Sequence, residues 1–301
     1  MFSFFSPQAL HFGRGQAAQT ATLAAGFGTH VLIVHGSSAA RAAWLVEDCH
    51  AAGLSVTTQS CGSEPSLPAL EAALARVSAD RPDVVVALGG GSVIDFAKAL
   101  AALIPCAGAP LDYLEGVGGG KPLDRAPLPM IALPTTAGTG AEVTKNAVIA
   151  VPEHGVKVSL RDARMIPDIA IVDAGLMQGA PRRVTLAAGL DAVTQVIEPY
   201  LSIKATPMTD ALCQAAIPKG LAALRAVVEH DAAEAWDDMA WVSTCGGLAL
   251  ANAGLGAVHG FAGVIGGLLS GAMRMELQEP GIQIFHGLAA MSYGLEGDAA
   301  L

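Results

Sequence analysis

Val84-Val85-Val86-Ala87-Leu88 is apolar with no helical period and ends in Gly89-Gly90-Gly91-Ser92, after which Val93 to Leu100 takes up an Ala-rich helical pattern. A β-branched run stopped by glycines and followed by helical spacing reads as strand, tight turn, helix. Backbone N–H groups in such a turn can approach a pyrophosphate at the helix N-terminus. Gly89, Gly90, Gly91 and Ser92, with Asp95 in the helix behind them, are therefore candidate cofactor-binding residues. The turn is not the G-x-G-x-x-G fingerprint, and taken alone a glycine turn without a ligand is the better reading.

The flanking sequence repeats the alternation. Val31-Leu32-Ile33-Val34 is a second strand, ending at His35-Gly36-Ser37-Ser38. Residues 39–52 have helical spacing, 54–58 alternate as a strand, and 65–79 carry Leu67, Leu70, Ala73, Leu74 and Val77 as a helix stripe. This succession predicts a parallel sheet with covering helices. Met130-Ile131-Ala132-Leu133-Pro134 is a further strand, running directly into Thr135-Thr136-Ala137-Gly138-Thr139-Gly140. Hydroxyls and free N–H groups at the carboxyl end of a strand suit a phosphate or ribose, so Thr135, Thr136 and Thr139 join the candidates. Residues 146–151 and 169–172 complete the strands; beyond Asp173 the pattern is helical. The predicted organisation is an α/β nucleotide-binding domain over 1–173 and an all-α domain over 174–301.

The chain has 301 residues, 52% hydrophobic and 15% charged, so a large core is available. A net charge of −10 with no Lys/Arg cluster argues against a nucleic-acid partner. Cys49, Cys61, Cys106, Cys213 and Cys245 are odd in number and widely spaced, which fits reduced thiols in the cytoplasm. The short apolar N-terminus has no basic region and is not expected to be a signal peptide. Between Met239 and Met273 no residue is formally charged, longer than the roughly 20 residues that span a bilayer. Its glycines, Asn252 and His259, and the lack of flanking positive charge, favour a core helix over a membrane span.

Two polar constellations stand out in the second half. Asp191 and Gln195 are i, i+4 on a helical stretch and share a face, with Glu198 at i+7. They are either an exposed stripe or, given Leu190, Val193, Val196 and Ile197 around them, a partly buried set; a buried carboxylate needs a cationic partner. His259 alone would be a hydrogen-bonded core histidine. Jointly with Asp191 it becomes a metal-ligand candidate, and an Asp/His pair without cysteine suits Fe²⁺, Zn²⁺ or Mn²⁺.

Five ordered segments carry a resemblance: the GGGSVIDFAKA turn, LPTTAGTGAEVTKNAVI (133–149), KVSLRDARMIPDIAIVDA (157–174), GLDAVTQVIEPYLS (189–202) and LANAGLGAVHGFAG (250–263). Together they resemble the iron-containing alcohol dehydrogenases, whose fold is similar to that of dehydroquinate synthase. The resemblance implies a nucleotide-binding α/β domain, a helical domain, and a catalytic divalent metal, Fe or Zn, bound in the cleft by one Asp and usually three His. It places Asp191 on the Asp ligand and His259 on the first His of the later histidine motif, with Gln195 where many members have His. Only Phe285-His286-Gly287-Leu288-Ala289 matches the last histidine motif, and it lies further along than usual. His286 is carried as a fourth metal ligand, in a helical domain that is shortened or altered after about residue 270.

The resemblance also places Gly36 and Ser37 where NAD-preferring members often have Asp, which leaves room for a 2′-phosphate and allows NADP as well as NAD. Lys157 is expected near the ribose or phosphate end of the cofactor. The expected function is hydride transfer between NAD(P) and an alcohol or aldehyde, with Asp191 and His259 at the catalytic centre, in a homodimer that does not enter membranes. The rival expectations are an impaired remnant that binds nucleotide only, a metal-independent reductase similar to the maleylacetate reductases, and, last, a phospho-sugar lyase.

Overall fold

The computed structural model of the protein describes residues 1–77 and 80–262. Four strands are buried throughout and apolar except for the two terminal histidines of the first: β2 (His30–His35), β4 (Val84–Gly89), β5 (Met130–Pro134) and β8 (Ile169–Val172). A strand with no polar side must be covered on both faces, and these four form the interior of a parallel sheet. At its edges lie β1 (Ala9–Phe12) and β3 (Ser55–Ser60), both partly exposed. The strand order is β1-β8-β5-β4-β2-β3. Side chains alternate between two cores, Leu32, Val34, Val85 and Ala87 facing one layer and Val31, Ile33, Val84 and Val86 the other. Helices α1 (Thr20–Ala25) and α2 (Ala43–Ala51) cover the second face; α3 (Leu67–Val77) and α4 (Gly91–Leu103) cover the first.

A short helix α5 (Pro110–Tyr113) follows, and β6 (Asn146–Val151) with β7 (Val156–Arg161) forms an antiparallel hairpin apart from the main sheet. Beyond β8 the described residues are helical: α6 (Arg182–Tyr200), α7 (Pro207–His230) and α8 (Ala233–Ala253) pack around Val196, Ala216, Trp236, Met239 and Val242. The architecture is the expected α/β half followed by an all-α half.

Three departures from the sequence reading have physical causes. Strands β1 and β7 went unread because edge and half-exposed strands lack a continuous apolar run. Helix 39–52 is split into a 3-10 turn (Ala39–Ala42) and α2. The uncharged run from Met239 is not one core helix: α8 ends at Ala253, where Gly254 takes φ 73°, a conformation that favours glycine. Among the described helices, the one long and apolar enough to cross a membrane by length and composition is α7 instead, and it lies against α6 and α8.

The two halves meet backbone to backbone. Gly140, at φ 59°, lies so close to α8 that a Cβ there would come within 2.6 Å of Gly247 Cα and Ser243 O. A Cβ on Gly138 would meet Ala188 of α6 at 2.8 Å. Glycine at both positions thus lets the loop after β5 seat directly on the helical half. The start of the chain adds a tie, because the Phe5 N–H donates to Asn252 Oδ1 (2.6 Å) and Asn252 Nδ2 donates back to Phe5 O (2.9 Å).

Candidate active site

Parallel strands bring their carboxyl ends to one side. Gly89 and Pro134 are register partners on β4 and β5, and the Thr135 N–H donates to Gly89 O at 3.0 Å. The glycine turn and the threonine loop are therefore neighbours. β2 lies between β3 and β4, so the chain's crossover direction reverses between β2 and β4, where open α/β sheets bind ligands. Helix α4 starts there. Its N-cap Gly90 is extended, and no side chain caps the first turn, which leaves the amides of that turn open to an anion. A Cβ on Gly91 would approach Thr139 Oγ1 to 2.8 Å, so glycine sets how closely the two loops pack.

A cleft of about 200 Å³ opens between this edge and the helical half, and Gly91, Ser92, Asp95, Thr139, Lys157, Asp191, Gln195 and His259 all line it. Eight residues singled out from the sequence, spread over 169 positions of chain from Gly91 to His259, thus face one space. Gly36 sits just past β2, and Thr136 instead lines a separate small cavity with Ala188, Trp236 and Met239. His286 lies outside the described residues.

Helix α6 supplies the far wall. Asp191 and Gln195 are both buried, and the Gln195 amide Nε2 donates to Thr139 O at 2.7 Å. After Gly254 the chain turns and restarts as a helix over 257–262, bringing His259 onto α6. His259 Nε2 lies 3.0 Å from Asp191 Oδ1, and its Nδ1 lies 2.5 Å from Glu198 Oε2. The other Glu198 oxygen accepts from the Val258 N–H at 2.7 Å. Burial pushes the Asp191 carboxyl up, against the pull of His259. Burial also opposes charge on His259, yet the hydrogen bonds to Asp191 and Glu198 prevail and raise its pKa. Glu198 moves down: burial would raise it, but His259 and the Gly256 and Val258 amides hold the carboxylate charged. The role of Glu198 was missed in the sequence, where its only signal was its place at i+7 from Asp191.

The donor set suits a cation. Ligands bound at about 2.0–2.2 Å to one ion stand roughly 3 Å apart, which is the Asp191–His259 separation. The second imidazole nitrogen rests on a carboxylate, as metal-bound histidines almost always do. Gln195, with its NH₂ engaged by Thr139, has its amide oxygen left as a neutral donor. No group of three or more His, Cys, Asp or Glu side chains gathers in metal-holding geometry among the described residues. The fit is that of two ionic or imidazole donors assisted by an amide.

From Asp95 on the cleft wall an ionisable set runs inward to Lys98 and Glu142, which the sequence did not announce. Lys98, fully buried in α4, donates to Thr144 Oγ1 (2.7 Å) and Asn146 O (3.1 Å). Asp95 accepts from the Val148 N–H at 2.9 Å, and Thr244 of α8 donates to Glu142 Oε1 at 3.1 Å. Desolvation pushes Asp95 up to about 6 and Lys98 down to about 8, each partly offset by the other. Burial raises Glu142 as well. Lys157 forms a close ion pair with Glu64, at 2.6 Å, on the cleft wall.

Comparison with known proteins agrees with this geometry. The profile for iron-containing alcohol dehydrogenase matches residues 7–174, and the profile for the Fe-containing alcohol dehydrogenase family, C-terminal, matches residues 185–270. The probable alcohol dehydrogenase EutG of Escherichia coli (strain K12) is 38% identical over 254 residues, 82% of this chain and 62% of that protein. The NAD-dependent methanol dehydrogenase of Bacillus methanolicus is 32% identical over 274 residues, 89% of this chain and 71% of the other. A solved alcohol dehydrogenase from Oenococcus oeni superposes with a TM-score of 0.82 at 29% identity, covering 90% of this chain and 72% of that one. Against three curated relatives, including EutG, the chain spans between 51% and 62% of their length.

Proposed function

This chain belongs to the iron-containing alcohol dehydrogenase family, and from that premise we propose that it is a nicotinamide-dependent oxidoreductase acting on small alcohols and aldehydes. The observation that carries the proposal is the convergence on one cleft of the uncapped α4 N-terminus, Thr139 and the Asp191–His259 pair. The backbone of Gly91 and Ser92 would hold the pyrophosphate, with Thr139 beside it. Asp191, His259 Nε2 and the Gln195 amide oxygen would hold a divalent metal. When bound, the nucleotide supplies or accepts hydride and the metal supplies Lewis acidity.

The protein's own groups do the rest. Gly140 and Gly247 hold the two halves in contact, so cofactor and substrate sit between fixed walls. Asp191 provides the negative charge that retains the cation, and Glu198 holds the imidazole in place. Pro65, Val148, Ala150, Leu250 and Leu255 line the cleft with apolar surface, which suits a short alkyl chain. We place the boundary between the two domains at Asp173, after the last strand and before α6. Open space at Gly36 leaves room for a 2′-phosphate, so NADP is accepted along with NAD.

A second reading, a reductase that works without metal, is favoured by the amide of Gln195 where an imidazole would bind more strongly. The test is turnover of a series of short alcohols and aldehydes by purified chain, with NAD(H) and NADP(H), metal-stripped and with added Zn²⁺ or Fe²⁺. Turnover that needs the metal supports the proposal; turnover indifferent to it supports the second reading. Nucleotide binding, followed by fluorescence, with no turnover under any condition would sink both.

A further inference from the structure

His259 is held on both sides, and its two partners are not equivalent. Nδ1 meets Glu198, a carboxylate whose other oxygen is already engaged by the Val258 N–H. Nε2 meets Asp191 across the cleft. An ionised carboxylate only accepts hydrogen bonds, so Glu198 requires a proton on Nδ1. Asp191 asks the same of Nε2, so without a cation both ring nitrogens carry protons; a cation shared with Asp191 would take the place of the Nε2 proton and meet the Nε2 lone pair, while Nδ1 keeps its proton for Glu198. Glu198 is buried and lies on the same helix as Asp191, and the ring bridges the two carboxylates, Nδ1 to Glu198 and Nε2 to Asp191.

We propose that Glu198 is a positioning residue that selects the metal-binding tautomer of His259 and aims its Nε2 at the site shared with Asp191. The inference rests on the metal reading of Asp191 and His259. It assigns Glu198 two distinct tasks, the ring through Oε2 and the 256–258 turn through Oε1, and it attributes ligand strength to the first. With Gln195 contributing an amide, His259 is the sole imidazole at the site among the described residues, so its orientation matters more here than in a site with several histidines.

Glu198→Gln separates the two tasks. The introduced amide oxygen can still accept from Val258, but its NH₂ then faces Nδ1, which must accept, and the ring proton moves to Nε2. Val258→Pro does the opposite, removing the N–H donor near the start of a helix, where proline is tolerated, while the carboxylate stays. Zn²⁺ affinity would be measured for the wild type and both variants by competition with a chromophoric chelator. NADP(H) binding would serve as a check that both variants are folded.

Glu198→Gln is expected to weaken Zn²⁺ by about 10–100-fold. Val258→Pro is expected to weaken it about threefold or less, the loss of one ordinary hydrogen bond. ¹⁵N NMR of the histidine ring should report a proton on Nδ1 of His259 in the Zn²⁺-loaded wild type. Wild-type affinity in Glu198→Gln, or an equal loss in Val258→Pro, would overturn the proposal, as would a wild-type chain that takes up no Zn²⁺. A wild type that holds Zn²⁺ with this pattern but oxidises no alcohol sinks the oxidoreductase reading and leaves the role of Glu198 standing.

Discussion

The side-chain amide of Gln195 donates to the carbonyl oxygen of Thr139 at 2.7 Å, fastening helix α6 to the loop after β5 across the cleft. Gly246 of α8 makes room for that contact: a Cβ there would sit 3.3 Å from Gln195 Cβ. Gln195 thus ties two walls of the cleft together, which bears on what an imidazole would do in its place. Gln195→His should tighten Zn²⁺, by about tenfold or 1.4 kcal/mol, because imidazole is the stronger donor. It should also cost about 1 kcal/mol of stability if the ring fails to replace the bond to Thr139. Asp191→Ala should move metal the other way, losing it while nucleotide binding persists. Chelator competition and urea titration of the three proteins check both effects, and equal metal affinity throughout would remove α6 from the metal site.

The three glycines of the turn should respond differently to side chains. A Cβ on Gly89 would lie 2.5 Å from Val93 Cβ, and one on Gly91 would press into Thr139. Gly89→Ala should therefore destabilise the fold by about 1–3 kcal/mol through overpacking. Gly90 has φ −74°, which any residue adopts. Gly90→Val should keep most of the stability and still abolish NADP(H) binding, since the side chain would stand where a pyrophosphate approaches. Denaturation midpoints and fluorescence titration check the pair; undiminished binding by Gly90→Val would mean that the turn is only structural.

What was legible in the sequence was what local chemistry encodes. The interior strands were readable because a strand buried on both faces must be apolar throughout, as in Val31 to Val34 and Val84 to Leu88. The edge strand β1 was not, because its half-exposed residues take strand form only through pairing with β8. Asp191 and Gln195 announced themselves by helical spacing. Glu198 lay in the same stretch, but its partner His259 is 61 positions away, and no local pattern foretells that contact. Lys98 is harder still. Inside a motif of Ala and Phe it looks like an ordinary helix lysine, and only the fold shows that it points at Thr144 and the start of β6, with the charges of Asp95 and Glu142 near it.

Cofactor choice is expected to turn on the end of β2. A side chain on Gly36 would meet nothing within 4 Å, so Gly36→Asp fits without strain. A carboxylate there would accept hydrogen bonds from ribose hydroxyls and repel a 2′-phosphate. The ratio of kcat/KM for NADPH over NADH should fall by about 10-fold or more, which is 1.4 kcal/mol of discrimination. Steady-state kinetics with both cofactors checks this, and a ratio unchanged from the wild type would show that β2 does not read the ribose.

Asp95 should make stability depend on pH in a direction opposite to that of an ion-paired surface carboxylate. Desolvation raises it in the folded state to about 6 from an ordinary value of 3.8. The folded state therefore binds the proton more tightly than the unfolded one. The stabilisation it gives is fully present below the unfolded pKa and is lost as pH rises through about 6. Lys98 runs the other way, with stabilisation lost as pH falls through about 8; the Asp95 charge holds it up, so the substitution lowers Lys98 as well and the difference measured belongs to the pair. An Asn at position 95 keeps an oxygen for the Val148 N–H and carries no charge at any pH. Relative to Asp95→Asn, the wild type should thus lose on the order of 2–3 kcal/mol between pH 4 and pH 7.5. Urea midpoints of both proteins at the two pH values measure that difference. A gap that stays constant with pH would mean that Asp95 titrates alike in the folded and unfolded states, its burial fully offset by Lys98 and the Val148 N–H.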